Sequence, residues 1–149
     1  MKENKNIKSL MTPFSKQLFN LNNKNILITG GTGSFGKAFT KFVIDNYKPK
    51  RLIIFSRDEL KQYEMQIAPN LKDSNCLRFF IGDIRDQHRL DLAMRDVDIV
   101  IHAAALKRIE VAEYNPFECI KTNILGSQNI VDTAIKNKVK KVISLSTDK

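Results

Sequence analysis

The chain has 149 residues, of which 42% are hydrophobic and 28% charged, and a formal net charge of +9; this is the balance of a single soluble domain with a sizeable core. No apolar run approaches the roughly 18 residues that a membrane-spanning helix needs, and no apolar stretch with a small-residue cleavage site opens the chain, so a cytoplasmic location without membrane insertion is expected. The charge is scattered, from Lys2, Lys5, Lys8, Lys16 and Lys24 to Lys136, Lys138, Lys140 and Lys141, with no aromatic residues interleaved as stacking platforms, which argues against a nucleic-acid partner and leaves a basic surface able to steer an anionic substrate.

Residues 1–23 are lysine- and asparagine-rich and read as a tail. Within it Thr12 and Pro13 suit an N-cap and first helical position, and Phe14, Leu18 and Leu21 share a face, so a short docking helix is expected. From Lys24 onward, apolar runs alternate with helical patterns. NILIT (25–29), RLIIFS (51–56), LRFFI (77–81), DIVIHAA (98–104) and KVISLS (141–146) read as five strands, and residues 34–46, 58–68, 86–95 and 115–137 as helices. The first, second, fourth and fifth runs are nearly all Ile, Leu, Val and Phe, as for strands buried on both faces of a parallel sheet. The alternation predicts an α/β fold, a doubly wound parallel sheet with right-handed crossovers, as one domain over residues 24–149. A complete fold of this kind has a sixth strand, so the sequence is expected to cover most of one half of an enzyme. Cys76 and Cys119 lack metal or disulfide spacing and are expected to be reduced; no metal site is expected.

Four of the six glycines fall in LITGGTGSFGKAF (27–39). Glycines after a first strand and before a helix let the backbone approach a pyrophosphate, while the helix N-terminus offers N–H groups and a favourable dipole. Gly31-x-Gly33-x-x-Gly36 fits G-x-G-x-x-G in that context, which predicts a Rossmann-like dinucleotide site. The second strand ends in Ser56 and Arg57, with Lys61 one turn on and Asp58 suited to capping the next helix; a basic end accommodates the 2′-phosphate of NADP, where NAD enzymes usually carry an acid. Asp83 and Ile84, after the third strand, are placed near an adenine ring, although Asp83 also suits a plain turn and Asp86 a cap. His102 reads as a satisfied core group and His88 as a solvated helical residue.

The motifs TGGTGSFG, SRDELK, FIGDIRD, IHAAALK, AEYNPFECIKTNILG and LSTDK, continuous and in order over residues 24–149, resemble the inverting UDP-N-acetylglucosamine 4,6-dehydratases, extended short-chain dehydrogenase/reductases of polysaccharide and pseudaminic acid biosynthesis. The resemblance implies that hydride leaves the sugar C4 for NADP⁺, that water is then eliminated across C5 and C6, and that hydride returns to C6 with C5 inverted. It implies that Thr147 hydrogen-bonds the C4 oxygen, Asp148 protonates the leaving C6 hydroxyl and Lys149 removes the C5 proton. A lysine base requires a pKa lowered by burial or a neighbouring cation. Gly30, Thr32, Gly33, Ser34, Phe35 and Gly36 would then hold the pyrophosphate, and Ser56, Arg57 and Lys61 the 2′-phosphate. Ala103 and Ala104 would pack near the nicotinamide ribose, Lys107 would stand between cofactor and UDP-sugar, and Asn123 would support the active-site strand. Arg108 stands where many members have histidine.

The family's Tyr-x-x-x-Lys pair and its sugar-gripping region would follow Lys149, so the resemblance implies that this chain alone is inactive and binds cofactor weakly. A UDP-sugar C4 epimerase of the same superfamily shares the glycine loop but needs no C5 base, against which Asp148 and Lys149 weigh. A non-catalytic NADP-binding protein is the third reading. The helix at 115–137 suits a subunit interface in a homo-oligomer.

Overall fold

The structure, a computed structural model, describes residues 20–146. The expected helix around Thr12 and Pro13 lies outside them, as do Thr147, Asp148 and Lys149. Five parallel strands form one sheet, β1 (Asn25–Thr29), β2 (Arg51–Ser56), β3 (Leu77–Ile81), β4 (Ile99–His102) and β5 (Lys141–Ser144), in the order β3-β2-β1-β4-β5. The chain starts in the middle of the sheet, winds to one edge and returns to the other side of β1. The strand order therefore reverses between β1 and β4, the place where open α/β sheets bind ligands.

Side-chain alternation splits the sheet between two cores. Ile26, Ile28, Leu52 and Ile54 face one layer, with Val43 of helix α1 (Ser34–Asn46) and Met65 of α2 (Glu59–Ile67). Leu27, Ile53, Phe55 and Val100 face the other, with Leu90 of α3 (Gln87–Ala93) and Ile130 and Ala134 of α6 (Gly126–Lys136). Each fully buried aliphatic side chain contributes about 1.5–3 kcal/mol of transfer free energy, so the two layers hold the sheet from both faces. Leu21, from the segment before β1, is buried in the first core. Among the described residues no helix is long and apolar enough to cross a membrane and no cluster of metal ligands occurs; Cys76 and Cys119 are free thiols.

The first three strands and α1 have the bounds expected from the sequence. Asp58 and Asp86 lie just outside α2 and α3 and cap them, their carboxylates accepting the backbone N–H of Lys61 and Arg89 at 3.0 and 2.9 Å. Four expectations are corrected. β4 spans Ile99–His102 and not 98–104: Asp98 turns its carboxylate to the backbone N–H of Asn25 at 3.0 Å and to Lys140 Nζ at 2.7 Å. β5 ends at Ser144 and is exposed throughout, Val142 at 40% and Ile143 at 45%; it pairs only with β4 at the sheet edge. A short helix, α4 (Ile109–Tyr114), was not expected. The region 115–137 starts as α5 (Pro116–Cys119), widens into a π-helical turn over Ile120–Leu125 and continues as α6.

Candidate functional site

At the reversal point the β1–α1 loop leaves the sheet through Gly30, whose φ is +65°. That conformation strains any residue with a Cβ, and a Cβ at Gly30 would also stand 2.8 Å from the Ala103 carbonyl oxygen. The turn closes with Gly33 N–H donating to the Gly30 carbonyl at 2.9 Å and is tied to β2 by Gly31 N–H on the Phe55 carbonyl at 3.3 Å. A Cβ at Gly36 would collide with the backbone of Gly31, so α1 can press against its own loop only with glycine there. At Gly33 a Cβ would meet only the Gly30 carbonyl oxygen at 3.2 Å and otherwise fill open space. That space is a cradle below the first turn of α1, the shape and donor set that a pyrophosphate fits.

The cradle opens into a cavity of about 960 Å³, at the upper end of small-molecule sites. Its walls include Ile109 and Ala112 of α4, Leu145 and Ser146 after β5, and residues of five further segments. Gly30, Thr32, Gly33, Ser34, Phe35 and Gly36 come from the β1–α1 loop, Ser56, Arg57 and Lys61 from the end of β2, and Asp83 and Ile84 from the end of β3; Ala103, Ala104 and Lys107 follow β4, and Asn123 comes from the π-helical turn. The structure thus brings together every candidate cofactor residue named from the sequence. Thr147, Asp148 and Lys149 lie outside the described residues.

The cations near β2 are exposed and each has a carboxylate beside it. Arg57 Nη1 lies 3.8 Å from Asp83 Oδ2, and Lys61 Nζ lies 2.7 Å from Asp58 Oδ2. Hydrogen bonding to Lys61 holds the Asp58 carboxyl below its usual range. Burial raises the Asp83 pKa, but hydrogen bonds from Arg85 and the charges of Arg85 and Arg57 outweigh it, so the carboxyl stays below its ordinary value. Arg85 also reaches Glu118 at 2.5 Å, and Glu118 pairs with Lys121 at 2.9 Å. This charge network links the β3 loop to α5 and the π-helical turn.

Several supporting residues escaped the sequence reading. Buried Gln62 donates from Nε2 to Ser56 Oγ at 2.9 Å, to the Ser56 carbonyl at 3.2 Å and to the Phe80 carbonyl at 3.1 Å, tying the ends of β2 and β3 together. Its signal was a polar side chain on the buried face of α2, three residues before Met65. Asn123 accepts from Leu106 N–H at 2.8 Å and donates to the Leu106 carbonyl at 2.9 Å; its side chain holds the loop after β4, where support of the active-site strand had been expected. His102 is buried and satisfied, with Thr29 Oγ1 at 2.7 Å from Nδ1 and Ser127 Oγ at 3.1 Å from Nε2, and desolvation lowers its pKa. His88 is exposed on α3.

The family described as Polysaccharide biosynthesis protein matches residues 26–149. A Campylobacter jejuni protein named UDP-N-acetylglucosamine 4,6-dehydratase (inverting) is 66% identical over 128 residues, covering 86% of this chain and 37% of the relative. A Rickettsia prowazekii protein named UDP-glucose 4-epimerase is 51% identical over 129 residues, with 85% and 37% covered. The chain therefore spans little more than a third of the length of these relatives. Among solved structures, Pen from Bacillus thuringiensis superposes with a TM-score of 0.79 at 44% identity, over 85% of this chain and 38% of that one.

Proposed function

Because the chain belongs to the polysaccharide biosynthesis protein family, we propose that it forms the NADP-binding part of a C5-inverting UDP-N-acetylglucosamine 4,6-dehydratase, a cytoplasmic lyase. The observation that carries this reading is the 66% identity with the Campylobacter jejuni dehydratase over 128 residues.

The chain's residues divide the work. Backbone N–H groups of the glycine loop and the first turn of α1 receive the pyrophosphate, helped by the helix dipole. Arg57 and Lys61, with Ser56 beneath them, take the 2′-phosphate; no acid ends β2 to compete for a ribose hydroxyl, and this favours NADP over NAD. Asp83 and Ile84 border the adenine, and Ala103 and Ala104 leave room for the nicotinamide ribose. Lys107 stands between cofactor and UDP-sugar, and Asn123 fixes its loop through Leu106. The cofactor, when bound, supplies a hydride acceptor and donor. Thr147 hydrogen-bonds the C4 oxygen, Asp148 protonates the departing C6 hydroxyl, and Lys149 takes the C5 proton, which a C4 ketone makes acidic. Exposed Tyr114, Phe117 and Ile135 on α4 to α6 support burial of these helices in a homo-oligomer.

The test is a chimaera in which residues 24–149 replace the matching segment of the Campylobacter jejuni dehydratase, incubated with UDP-N-acetylglucosamine in D₂O. A 4-keto-6-deoxy product with deuterium at C5 supports the proposal. The 51% identical relative named as a 4-epimerase gives a second reading, under which the sugar returns inverted at C4 with no deuterium at C5.

A further inference from the structure

We propose that His102 and Ser127 are positioning residues for the loop after β4, acting through Asn123 to set the wall of the cofactor cavity. The proposal rests on the dinucleotide reading for its ligand but not for its geometry. Four hydrogen bonds run from the end of β1 into the π-helical turn. Ala103 N–H donates to Thr29 Oγ1 at 3.2 Å, the Thr29 hydroxyl meets His102 Nδ1 at 2.7 Å, Nε2 meets Ser127 Oγ at 3.1 Å, and the Ser127 hydroxyl donates to the Asn123 carbonyl at 2.7 Å.

The donor inventory gives this chain one direction. Ser127 has a single hydroxyl proton and spends it on Asn123, so its oxygen must accept from His102 Nε2–H. A neutral imidazole protonated at Nε2 must then accept at Nδ1, which the Thr29 hydroxyl supplies. Hydrogen bonds aligned in this way polarise one another; the Thr29–His102 bond is buried, the His102–Ser127 bond half-buried and the Ser127–Asn123 bond exposed. No carboxylate is among the partners of the ring, so the imidazole serves to hold a geometry.

What it holds is the π-helical turn. Such turns are rare and gather at functional sites, and this one carries Asn123, whose amide grips both backbone groups of Leu106. One end of the chain is Thr29, the residue before Gly30, and the other is Leu106, the residue before Lys107. The two cavity walls on either side of the strand-order reversal are thereby set by one line of side chains, in which Ser127 is the link across the helix.

The experiment compares the wild-type 149-residue chain with Ser127→Ala, Ser127→Thr and Ser127→Cys by nitrogen NMR of the imidazole, amide hydrogen exchange and NADP titration. In the wild type the His102 ring is expected wholly as the Nε2–H tautomer; the Nδ1–H form would overturn the proposal. Exchange at the Leu106 amide is expected to speed up about tenfold in Ser127→Ala, the scale of one lost neutral hydrogen bond, while Val100 and Ile101 in β4 keep their rates and Ser127→Thr restores Leu106. NADP affinity is expected to weaken by a similar factor. Unchanged Leu106 exchange, or acceleration spread equally through β4, would sink it. Should Ser127→Ala not fold, Ser127→Cys, with a weak donor of similar size, takes its place under the same criteria. If the chimaera carrying residues 24–149 in the full-length relative ignores NADP while the Leu106 effect appears, the dinucleotide reading fails and the positioning role stands.

Discussion

Arg57 and Asp83, from the ends of neighbouring strands, stand 3.8 Å apart with the arginine side chain 56% exposed. An exposed pair at that distance contributes about 1 kcal/mol or less, so the guanidinium is free to turn to a phosphate, where a charge-assisted hydrogen bond is worth about 1.5–3 kcal/mol. Arg57→Ala should therefore raise the NADP dissociation constant about tenfold or more and leave NAD within about twofold. Calorimetric titration with both dinucleotides checks this; an equal loss for the two would remove Arg57 from the 2′-phosphate site.

The loop glycines should separate stability from binding. Gly36→Ala forces a methyl into the backbone of Gly31 and is expected to cost about 1–3 kcal/mol or more, measured by urea unfolding. Gly33→Ala meets only the Gly30 carbonyl oxygen, at 3.2 Å, which must shift by a few tenths of an ångström, so its cost should be the smaller of the two, about 1 kcal/mol. Its methyl occupies the cradle, so dinucleotide binding should be lost in a protein that still folds.

Gln62 is buried and bonds to Ser56 and Phe80 at once. Gln62→Leu fits the volume but strands those acceptors, and a loss of about 1–3 kcal/mol is expected. A drop in Tm of several degrees would register it; a neutral result would mean that water reaches the ends of β2 and β3.

Acid should unfold the protein in two stages. His102 has its pKa lowered by desolvation, so the unfolded chain binds a proton first and stability falls as pH drops below about 6.5. Asp98 has its pKa lowered, first by the Asn25 backbone N–H and then by Lys140. Its contribution is present above the unfolded carboxylate pKa and is lost as pH falls through the folded value. Asp98→Asn should reduce the lower stage of a Tm–pH curve, to which Asp83 and Asp91 also contribute, and leave the upper one; the opposite pattern would refute the assignment.

Thr40 lies fully buried on α1 with its hydroxyl unpartnered among the described residues. Thr40→Val keeps the branched shape and removes a desolvated polar atom, so a gain of about 1 kcal/mol is expected. A loss in thermal unfolding would reveal a hydrogen bond that the hydroxyl makes.

How much of this was legible differs by element. β1, β2 and β3 have the expected bounds because each is a mainly apolar run that ends at a glycine or a charged turn residue. β5 is equally apolar, yet a run of Val and Ile reads alike whether its faces are covered or bare. α4 buries none of its residues, so it leaves no periodicity to read, and the single-turn widening at Ile120–Leu125 carries no glycine or proline to mark it. At the site, the glycine loop and the basic end of β2 carry local signals. Gln62, Thr29 and Ser127 act through partners distant in sequence, with Thr29 meeting His102 73 residues on, and spacing cannot display such pairs.

The place of β1 in the sheet has a consequence for how the fold is reached. Asn25 and Asp98 are joined across 73 residues, and the pairing of β1 with β4 begins there. β1, β2 and β3 can assemble from neighbouring contacts, but the β1–β4 seam must close a much longer loop, the kind of non-local pairing that slows folding. The cavity lies along that seam. Recognition of a ligand thus waits on the β1–β4 pairing: until that seam closes, the two walls of the cavity are not brought together.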